Sequence, residues 1–563
     1  MSAPPGPRLL PLGGGTTFAA VTAGPSDRRM LNGAARPGPA TWLDPDARLN
    51  EAGRPGPAAW PDLDARLDLD ARLDLDARLD PDARLDPDAR LDLDARLAGA
   101  VRLAGDKAAR LAAAAAAGLA VLPGWVVPVA EGRPALSAGA GAVRDGRPAA
   151  ARRAVLGQRL DGDLAAELRE AVARLGGRVI VRSSSPLEGD PRWSGAFSSV
   201  AEVGPDDVVA AVRSCWASAF AVDPLGRLAA SGLPPEALEL GVLLQPEIRP
   251  AAGGVARVTP AADAAGREVT VEGVPGHPGA LLSGWAEGAS ARVRLAAPPS
   301  APSPAPGDPR PPVEGELADL VGPAAVAAVA DLAVRVWRRL GDDVIEWAAA
   351  DGRVWLLQSR RPAAPAVVTG AGRAGAGRAT APRAPAERLA GHAGGGLPTA
   401  RARMPVLAAT VLRRGEHVPG RPGAPGTAAG RLLPCRPHER PAGDCGDSIL
   451  LIDRPLPALA PLLFAARGVI ARTGAPGSHL AEVARSLGVP MVLGCRPERV
   501  TGTPAVPGGA FLAAIDGSTG DVALLPAAEG WPVGRVGSGL SALSDLLHPA
   551  SVLPAPGLSG QRI

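Results

Sequence analysis

A six-residue repeat limits where this chain can begin to form a core. The repeat, with units such as LDLDAR and LDPDAR, follows a Pro- and Gly-rich start and runs to about Leu97. Six residues advance an ideal helix by about 600°, so the leucines of successive units are predicted to point in different directions. Each unit carries two Asp against one Arg, and Pro81 and Pro87 interrupt the series, which disfavours a helix. We therefore expect residues 1–97 to be a disordered spacer; a repeat-based docking arm is the alternative.

The region 98–362 has the pattern of a folded domain. Helical segments such as 163–175 alternate with short β-branched runs such as Arg178–Val181, which predicts an α/β or α+β fold. Residues 294–312 are rich in proline and are expected to form a surface loop.

A second folded region is predicted at 418–526. It contains two strand-like runs, ILLID and GVIA, followed by a helix that starts near His479. Residues 363–417 are rich in Ala, Gly, Pro and Arg without periodicity, so we expect a flexible linker between the two domains. The tail, 527–563, is expected to be weakly structured.

Charge and cysteine content argue against several classes of partner. Lysine and arginine total 60 against 57 aspartate and glutamate residues, so the basic excess of a dedicated nucleic-acid binder is missing. The first residues have no signal pattern, and the apolar stretch 111–130 is broken by a Pro-Gly pair, which predicts neither export nor a membrane span. Cys435, His438 and Cys445 lack a credible fourth zinc ligand. We expect reduced thiols in a cytoplasmic protein, with neither nucleic acid nor membrane as a partner.

Two clusters in the first region are suited to binding phosphate. Gly105 stands beside Lys107 just before a predicted helix, where backbone amides and an ammonium group can bind phosphate oxygens. In VIVRSSSPLEGD a strand delivers Arg182 into three serines, with Glu188 beyond, and a guanidinium can bind phosphate through two parallel hydrogen bonds. The alternatives are a solvated lysine on a helix and a polar surface loop closed by a salt bridge.

A β-hairpin is predicted in DDVIEWAAADGRVWLLQSRRP. Strands Val344–Ala348 and Val354–Gln358 flank an Asp-Gly turn. Glu346 and Gln358 can then project from paired strands and supply two oxygen ligands of the kind that Mg²⁺ accepts beside a triphosphate. Arg360, just beyond, can reach the phosphates. The alternative is an edge hairpin with exposed polar residues.

The fourth cluster, GVIARTGAPGSHLAEVARSLGVP, places a histidine at the start of a helix. A strand ends at Ala471, a loop with Gly474 and Gly477 follows, and Ser478 is positioned to cap the helix that begins at His479. A helix N-terminus disfavours a protonated imidazole, so His479 is expected to be neutral and nucleophilic, and the same amides would stabilise an attached phosphate. The alternative is an ordinary surface histidine.

Taken in this order, the clusters resemble the pyruvate phosphate dikinase and phosphoenolpyruvate synthase family, which includes the rifampicin phosphotransferases. The resemblance covers about residues 97–362 and 418–526. It rests on Gly105-Asp106-Lys107, Val181-Arg182-Ser183-Ser184, Trp216-Ala217-Ser218, Val344-Ile345-Glu346-Trp347, Leu357-Gln358-Ser359-Arg360, Gly474, Ser478-His479, Ala481, Ala484-Arg485, Gly488-Val489-Pro490 and Asp516-Gly517-Ser518-Thr519-Gly520.

The resemblance implies an ATP-grasp-like nucleotide-binding domain followed by a small swivelling phosphohistidine domain. In the family, a histidine takes a phosphoryl group from ATP at one site and delivers it to an acceptor at another, and His479 is the candidate for that carrier. The resemblance assigns the ATP phosphates to Lys107, Arg182 and Arg360, the neighbourhood of the nucleotide to Gln245, and Mg²⁺ to Glu346 and Gln358.

Three features depart from the family pattern. Ala475 stands where the family has a second loop glycine, and Gly477 stands where a threonine is usual. The stretch 274–284, where a Gly-x-Gly-Glu segment is expected, contains no glutamate. No segment resembles an acceptor domain, because the residues after the histidine domain are too few for the barrel that binds pyruvate. The linker is also too short and irregular for a helical antibiotic-binding domain.

These observations lead to two functional hypotheses. In the first, the chain is a kinase of the pyruvate, phosphate (water) dikinase type, in which ATP phosphorylates His479. The group then passes to a pyruvate-like or other small molecule, or to a partner chain that carries the acceptor domain. Lysine, arginine and Mg²⁺ would neutralise the charge of the phosphates. In the second, the chain is an ATP-binding scaffold or pseudoenzyme with a degenerate phosphohistidine loop. The release of AMP or of ADP is left open.

Overall fold

The structure, a computed structural model, describes residues 8–12, 87–260, 267–295, 313–361, 407–435, 445–501 and 511–526. The chain divides into two compact units, each made of several segments of sequence. The first unit comprises Met1–Ala374, Arg454–Phe464 and Thr473–Gly488, and the second comprises Gly375–Asp453, Ala465–Arg472 and Val489–Ile563. The segment that carries His479 therefore belongs to the first unit.

The first unit contains a five-stranded antiparallel sheet. Its strands are β1 (Leu10–Leu12), β2 (Gly124–Val127), β3 (Val179–Ser184), β4 (Val200–Val203) and β5 (Gly241–Pro246). They lie in the order β1-β2-β5-β3-β4, and each neighbouring pair is antiparallel. The valines and leucines of β3 and β5 pack against four helices, Val129–Arg144, Pro148–Leu156, Gly162–Arg174 and Val208–Ser218.

A six-stranded antiparallel sheet forms the other half of this unit. Its strands are β6 (Ala252–Pro260), β7 (Arg267–Pro275), β8 (Ala289–Leu295), β9 (Val313–Glu314), β10 (Val344–Ala350) and β11 (Arg353–Arg360). They lie in the order β11-β10-β6-β7-β8-β9. The helix Pro323–Leu340 presents buried residues at three- and four-residue spacing, among them Val326, Val329, Ala330 and Ala333, and its apolar face packs in the same core as this sheet. The helices Pro87–Ala104 and Asp106–Ala116 contribute to the same core.

Shorter helices complete the described part of the first unit. They are Val222–Ser231, Gly279–Leu282, Glu316–Val321, Ala460–Leu463 and His479–Leu487.

The second unit is built on an eight-stranded mixed sheet. Its strands are β12 (Glu416–Pro419), β13 (Arg421–Ala424), β14 (Thr427–Cys435), β15 (Ser448–Ile452), β16 (Gly468–Ala471), β17 (Met491–Leu493), β18 (Phe511–Asp516) and β19 (Asp521–Pro526). They lie in the order β12-β19-β18-β14-β15-β16-β17-β13, and β14 to β17 are parallel to one another. A helix at 407–414 and the short helix Glu498–Thr501 accompany the sheet. The mixture of helices and sheets in both units confirms the predicted α+β class.

Local sequence signals predicted several elements well. The helix expected at 163–175 is Gly162–Arg174, and GVIA is β16. The predicted hairpin is formed by β10 and β11. Asp351 and Gly352 both have positive φ, at 51° and 70°, as a two-residue hairpin turn of this kind requires.

The expectation that residues 1–97 are disordered is wrong in two places. Leu10–Leu12 pairs with β2, and the last repeat units form the start of the helix Pro87–Ala104. At the end of the repeat, Leu93 and Leu97 lie four residues apart, and the alanines that follow extend their apolar stripe along one face of the helix. Leu93 and Leu97 are 2% and 6% exposed, whereas Leu91 is 68% exposed. The repeat units before residue 87 lie outside the described residues.

The predicted linker 363–417 also ends earlier than expected. The helix at 407–414 and the start of β12 fall within it. Ala408 and Val411 are each 1% exposed and pack against β14, β18 and β19. This apolar helix face is hard to recognise in the sequence, because the whole region is rich in Ala and Arg. The remainder of the linker, residues 296–312 of the Pro-rich insertion and the tail 527–563 lie outside the described residues.

One helical stretch among the described residues has the length and composition of a candidate membrane span. It is Val208–Ser231, which contains an 18-residue window with a mean hydropathy of 1.3, and 56% of that window is buried within the structure. Val212 and Trp216 lie in the core of the first unit. A position in the protein core accounts for this composition.

Candidate functional site

One cavity of the first unit is lined by every residue predicted to bind nucleotide or to carry phosphate. These residues are Lys107, Arg182, Gln245, Glu346, Gln358, Arg360 and His479. They come from the start of the helix Asp106–Ala116, from β3, β5, β10 and β11, and from the helix His479–Leu487, called the histidine helix below. Five widely separated segments of sequence therefore meet at one place.

The hairpin brings a carboxylate, an amide and a guanidinium together. Glu346 on β10 lies directly opposite Gln358 on β11, and a bulge follows Glu346. Both side chains are 5% exposed. Arg360 Nη2 donates a hydrogen bond to Glu346 Oε1. Burial alone would raise the pKa of Glu346, but the positive charges of Arg360, Arg182 and Lys107 together outweigh it, and the pKa lies below its ordinary value.

Lys107 is held at the cavity wall by two partners. Its Nζ donates to the carbonyl oxygen of Ser183 at 2.6 Å and to Glu188 Oε1 at 3.0 Å. The preceding Gly105 has a φ of 82°, and a Cβ at this position would overlap the backbone of Ser184. Glycine is therefore required for the helix start to pack against the end of β3, which places the ammonium group beside the serine run.

Arg182 and Gln245 form a linked pair on β3 and β5. Arg182 Nη1 donates to Gln245 Oε1 at 3.0 Å and to the carbonyl oxygen of Leu357 at 2.8 Å. Gln245 Nε2 donates to the carbonyl oxygen of Leu122 at 2.9 Å. The amide thus has partners for both its oxygen and its nitrogen, and it fixes the direction in which the guanidinium enters the cavity.

A chain of polar groups connects the hairpin to the histidine. Arg360 donates through Nη1 to Ser194 Oγ and through Nη2 to Glu346. Ser194 Oγ lies 2.9 Å from His479 Nδ1. Gly195 lies against the imidazole ring, since a Cβ built there would be 2.5 Å from His479 Cδ2. The ring is therefore positioned by a hydroxyl on one side and by bare backbone on another.

The electrostatic surroundings favour a neutral imidazole at His479. Burial lowers its pKa to about 4, and the positive charge of Arg360 adds to the decrease. A neutral ring was expected from the helix N-terminus, whereas the structure identifies burial as the main cause. Ser478 also differs from expectation. It occupies the N-cap position but makes no capping hydrogen bond, and among the described residues its buried Oγ has no partner.

Residues 472–478, called the histidine loop below, join β16 to the histidine helix. The two departures from the family pattern in this loop have local structural explanations. Ala475 is completely buried and packs with Val255, Val274 and Leu281, so its methyl group fills an apolar pocket. Gly477 faces Glu272, and a Cβ there would lie 3.1 Å from Glu272 Oε2 and 3.3 Å from the Val255 side chain. A threonine would be crowded at this position.

Glu272 is a site residue that the sequence analysis missed. Its Oε2 accepts a hydrogen bond from the Gly477 amide at 2.8 Å, and burial raises its pKa, against the effect of that hydrogen bond. Glu272 lies two residues before the stretch 274–284, which contains no glutamate. The signal was the alternating pattern of β7, in which Glu272 stands among valines.

Two further polar residues hold the site together and gave no clear sequence signal. Arg227 is completely buried and donates to Asp223 and to the carbonyl oxygen of Ser194, at 2.7 and 2.9 Å. Glu482, one turn into the histidine helix, pairs with Arg257 and Arg485. An acidic and a basic residue at helical spacing usually mark an exposed helix face. The pairs Asp223/Arg227 and Glu482/Arg485 have this spacing, so the sequence did not indicate that Arg227 and Glu482 are buried.

The residues that line the cavity suit a divalent cation whose remaining coordination positions are filled by a bound nucleotide and water. Among the described residues, no group of three or more His, Cys, Asp or Glu side chains is placed to hold a metal ion. Glu346 and Gln358 offer two oxygen donors side by side in the cavity. Mg²⁺ commonly binds through one or two protein ligands and completes its shell with phosphate oxygens and water, so this pair suits a metal that arrives with a nucleotide.

Comparison with known proteins yields two family matches, one in each predicted domain. The family model for the pyruvate phosphate dikinase AMP/ATP-binding domain matches residues 101–295. The model for the mobile domain of PEP-utilising enzymes matches residues 445–530. No curated protein matches the chain significantly. The matches follow the order expected from the motifs, and the first spans Lys107, Arg182 and Gln245 while the second spans His479.

Proposed function

Because this chain belongs to the pyruvate phosphate dikinase and phosphoenolpyruvate synthase-like family, a family of ATP-binding phosphotransferases, we propose that ATP phosphorylates His479. The observation that carries the proposal is the position of the imidazole. It lies in the same cavity as Lys107, Arg182 and Arg360, the three cations suited to a triphosphate. A nucleophile within reach of cations that neutralise phosphate charge is the arrangement that phosphoryl transfer requires.

The reaction begins with the lone pair of His479 Nε2. Nδ1 faces Ser194, and among the described residues Nε2 has no hydrogen-bond partner, so it is free to attack phosphorus. An N–P bond forms while the P–O bond to the leaving oxygen breaks, and that oxygen keeps the electron pair. Attack at the γ-phosphorus releases ADP and leaves a phosphoryl group; attack at the β-phosphorus releases AMP and leaves a pyrophosphoryl group. A neutral ring retains the lone pair that this step uses.

Charge neutralisation by the chain supplies most of the catalysis in this proposal. Lys107 and Arg360 are 6% and 8% exposed, so their charges act in a largely water-free environment, where they stabilise developing phosphate charge more than they would in water. Glu346 and Gln358 are the residues that would hold Mg²⁺. The bound ion would neutralise and orient the phosphates.

The acceptor of the phosphoryl group is a small molecule, such as a pyruvate-like acid, or a partner chain with the acceptor domain. Support comes from the two matched domains, which cover nucleotide binding and the mobile domain of PEP-utilising enzymes. The cytoplasmic location is part of the same proposal. All four cysteines are free, as is usual in a reducing compartment.

A nucleotide-binding scaffold is the second candidate, and the altered loop at Ala475 and Gly477 favours it. Single turnover separates the two. Purified protein in molar excess over ATP is incubated with saturating Mg²⁺, samples are quenched at intervals, and ATP, ADP and AMP are quantified. The phosphotransferase converts the bound ATP to ADP or AMP, and His479→Ala yields neither. ATP that is bound and returned unchanged by the wild-type chain contradicts the phosphotransferase and supports the scaffold.

A further inference from the structure

Ser194 is the only described residue within hydrogen-bond distance of the His479 imidazole. Its side chain is 4% exposed, and its Oγ lies between two nitrogen atoms. Arg360 Nη1 donates to the hydroxyl from one side, and His479 Nδ1 lies 2.9 Å away on the other. Ser194 carries no local sequence signal of this role, because it stands within a polar loop.

The side chain of Arg227 holds the backbone around Ser194 in place. Arg227 Nη1 donates to the carbonyl oxygens of Arg192 and Ser194, at 2.8 and 2.9 Å. Arg227 is itself fixed by Asp223, which accepts from Nε and Nη2 at 2.7 Å each. An arginine with five directed donors in a rigid plane is well suited to fix a loop. The hydroxyl of Ser194 therefore has a defined position relative to the ring.

A count of donors and acceptors limits what the hydroxyl can do. A serine hydroxyl has one hydrogen and two lone pairs. Arg360 can only donate, so it uses one lone pair of Ser194 Oγ. The second lone pair can accept the Nδ1–H of a neutral imidazole, which leaves the lone pair of the ring on Nε2. The hydroxyl hydrogen can instead be donated to a bare Nδ1, but that tautomer leaves an Nε2–H for which no acceptor lies among the described residues.

We propose that Ser194 is a positioning residue that holds the proton of neutral His479 on Nδ1 and so selects Nε2 as the nitrogen that takes the phosphoryl group. The inference rests on the proposed function for the transfer step, although the tautomer can be measured without nucleotide. When Nε2 attacks, the N–P bond forms and the P–O bond to the leaving group breaks. The proton stays on Nδ1 throughout, where it remains hydrogen-bonded to Ser194 Oγ.

Removing the hydroxyl should change the chemistry of the ring in two ways. Without Ser194 Oγ, both tautomers become accessible, and Nδ1 is exposed to the cavity. A share of the molecules then has the lone pair on Nδ1, so some phosphate is expected on that nitrogen. The loss of one oriented hydrogen bond is also expected to slow phosphorylation by about tenfold.

The test compares wild type, Ser194→Ala and the control Ser486→Ala in the full chain. Ser486 lies on the histidine helix, and its Oγ donates to the helix carbonyl of Val483 at 2.8 Å, so its removal leaves the contact of Ser194 with the ring intact. Nitrogen NMR of ¹⁵N-histidine-labelled protein without nucleotide assigns the tautomer, with His479→Ala identifying the signal. Phosphorus NMR of alkali-denatured, ATP-treated protein then identifies the phosphorylated nitrogen.

Wild type and Ser486→Ala are expected to carry the proton on Nδ1 and phosphate on Nε2 alone. Ser194→Ala is expected to show mixed tautomers, slower labelling and a measurable share of phosphate on Nδ1. An unchanged tautomer in Ser194→Ala, or slower labelling with phosphate still confined to Nε2, overturns the role of Ser194. An Nδ1–H tautomer that depends on Ser194, in a chain that takes no phosphate at all, upholds the positioning and contradicts the phosphotransfer instead.

Discussion

One added methyl group at Gly195 is predicted to displace His479 from the cavity. A Cβ built at Gly195 lies 2.5 Å from His479 Cδ2 and 2.7 Å from Cγ. Ordinary contacts between carbon atoms are about 3.5–4.0 Å, so the ring has to move by about 1 Å or more. A displacement of about 1 Å can slow a reaction between positioned groups by about 100-fold. Gly195→Ala should therefore phosphorylate His479 about 100-fold more slowly than wild type.

The backbone cost of this change has a matched control. Gly195 has a φ of +66°, and Gly232 has a φ of +64° with nothing within 4 Å of its Cβ position. Alanine in this conformation costs about 1–2 kcal/mol, so both variants should lose this free energy of unfolding in urea, and Gly195→Ala should lose more because its methyl group also displaces the ring. Only Gly195→Ala should lose phosphorylation.

Single-turnover rates with labelled ATP measure the transfer, and titration calorimetry measures ATP affinity separately. Retained ATP binding with slow labelling identifies a defect in the placement of His479. Equal labelling rates in Gly195→Ala and Gly232→Ala would refute the position of the ring against Gly195.

Two further predictions concern the histidine loop and its titration. Glu272→Ala should lower the free energy of unfolding by about 1–3 kcal/mol, because the Gly477 amide loses its hydrogen-bond acceptor. Glu272→Gln keeps an acceptor oxygen, so it should lose less unfolding free energy in urea. Equal losses in the two variants would contradict this role of Glu272. Burial lowers the pKa of His479 from 6.5 to about 4. As pH falls, the unfolded chain therefore takes up the proton before the folded chain does. The contribution of the neutral His479 ring to folding stability is thus fully present above about pH 6.5 and is lost toward pH 4. Relative to His479→Gln, wild type should lose about 3 kcal/mol of unfolding free energy between pH 7 and pH 4, and equal pH dependence of the two proteins would count against a buried neutral ring.

Elements coded by neighbouring residues could be predicted from sequence. The hairpin followed from alternating apolar residues around an Asp-Gly turn, and its register places Glu346 opposite Gln358 as expected. The histidine helix begins at His479 as its flanking residues indicated. These signals act over a few residues, so composition bias affected them little.

Contacts between distant segments could not be predicted in this way. Ser194 and His479 are 285 positions apart, and no local pattern specifies which loop meets which helix. The roles of Arg227 and Glu272 depend on the same tertiary arrangement. The helical end of the repeat was missed for a related reason, since Leu93 and Leu97 form a stripe only in combination with the residues that follow the repeat.

Transfer of phosphate from ATP to His479 is tested most directly with ATP labelled separately at the β and γ positions. Wild type, His479→Ala and the control His417→Ala are incubated with each ATP and Mg²⁺, and acid-labile protein phosphate is counted. His417 is exposed on β12, so its loss should change nothing. Label is expected in wild type and in His417→Ala, and none is expected in His479→Ala. Label from the γ position alone indicates ADP release, whereas label from both positions indicates attack at the β-phosphorus. Absence of label in wild type with ATP binding intact, or label that persists in His479→Ala, would contradict the transfer of phosphate from ATP to His479.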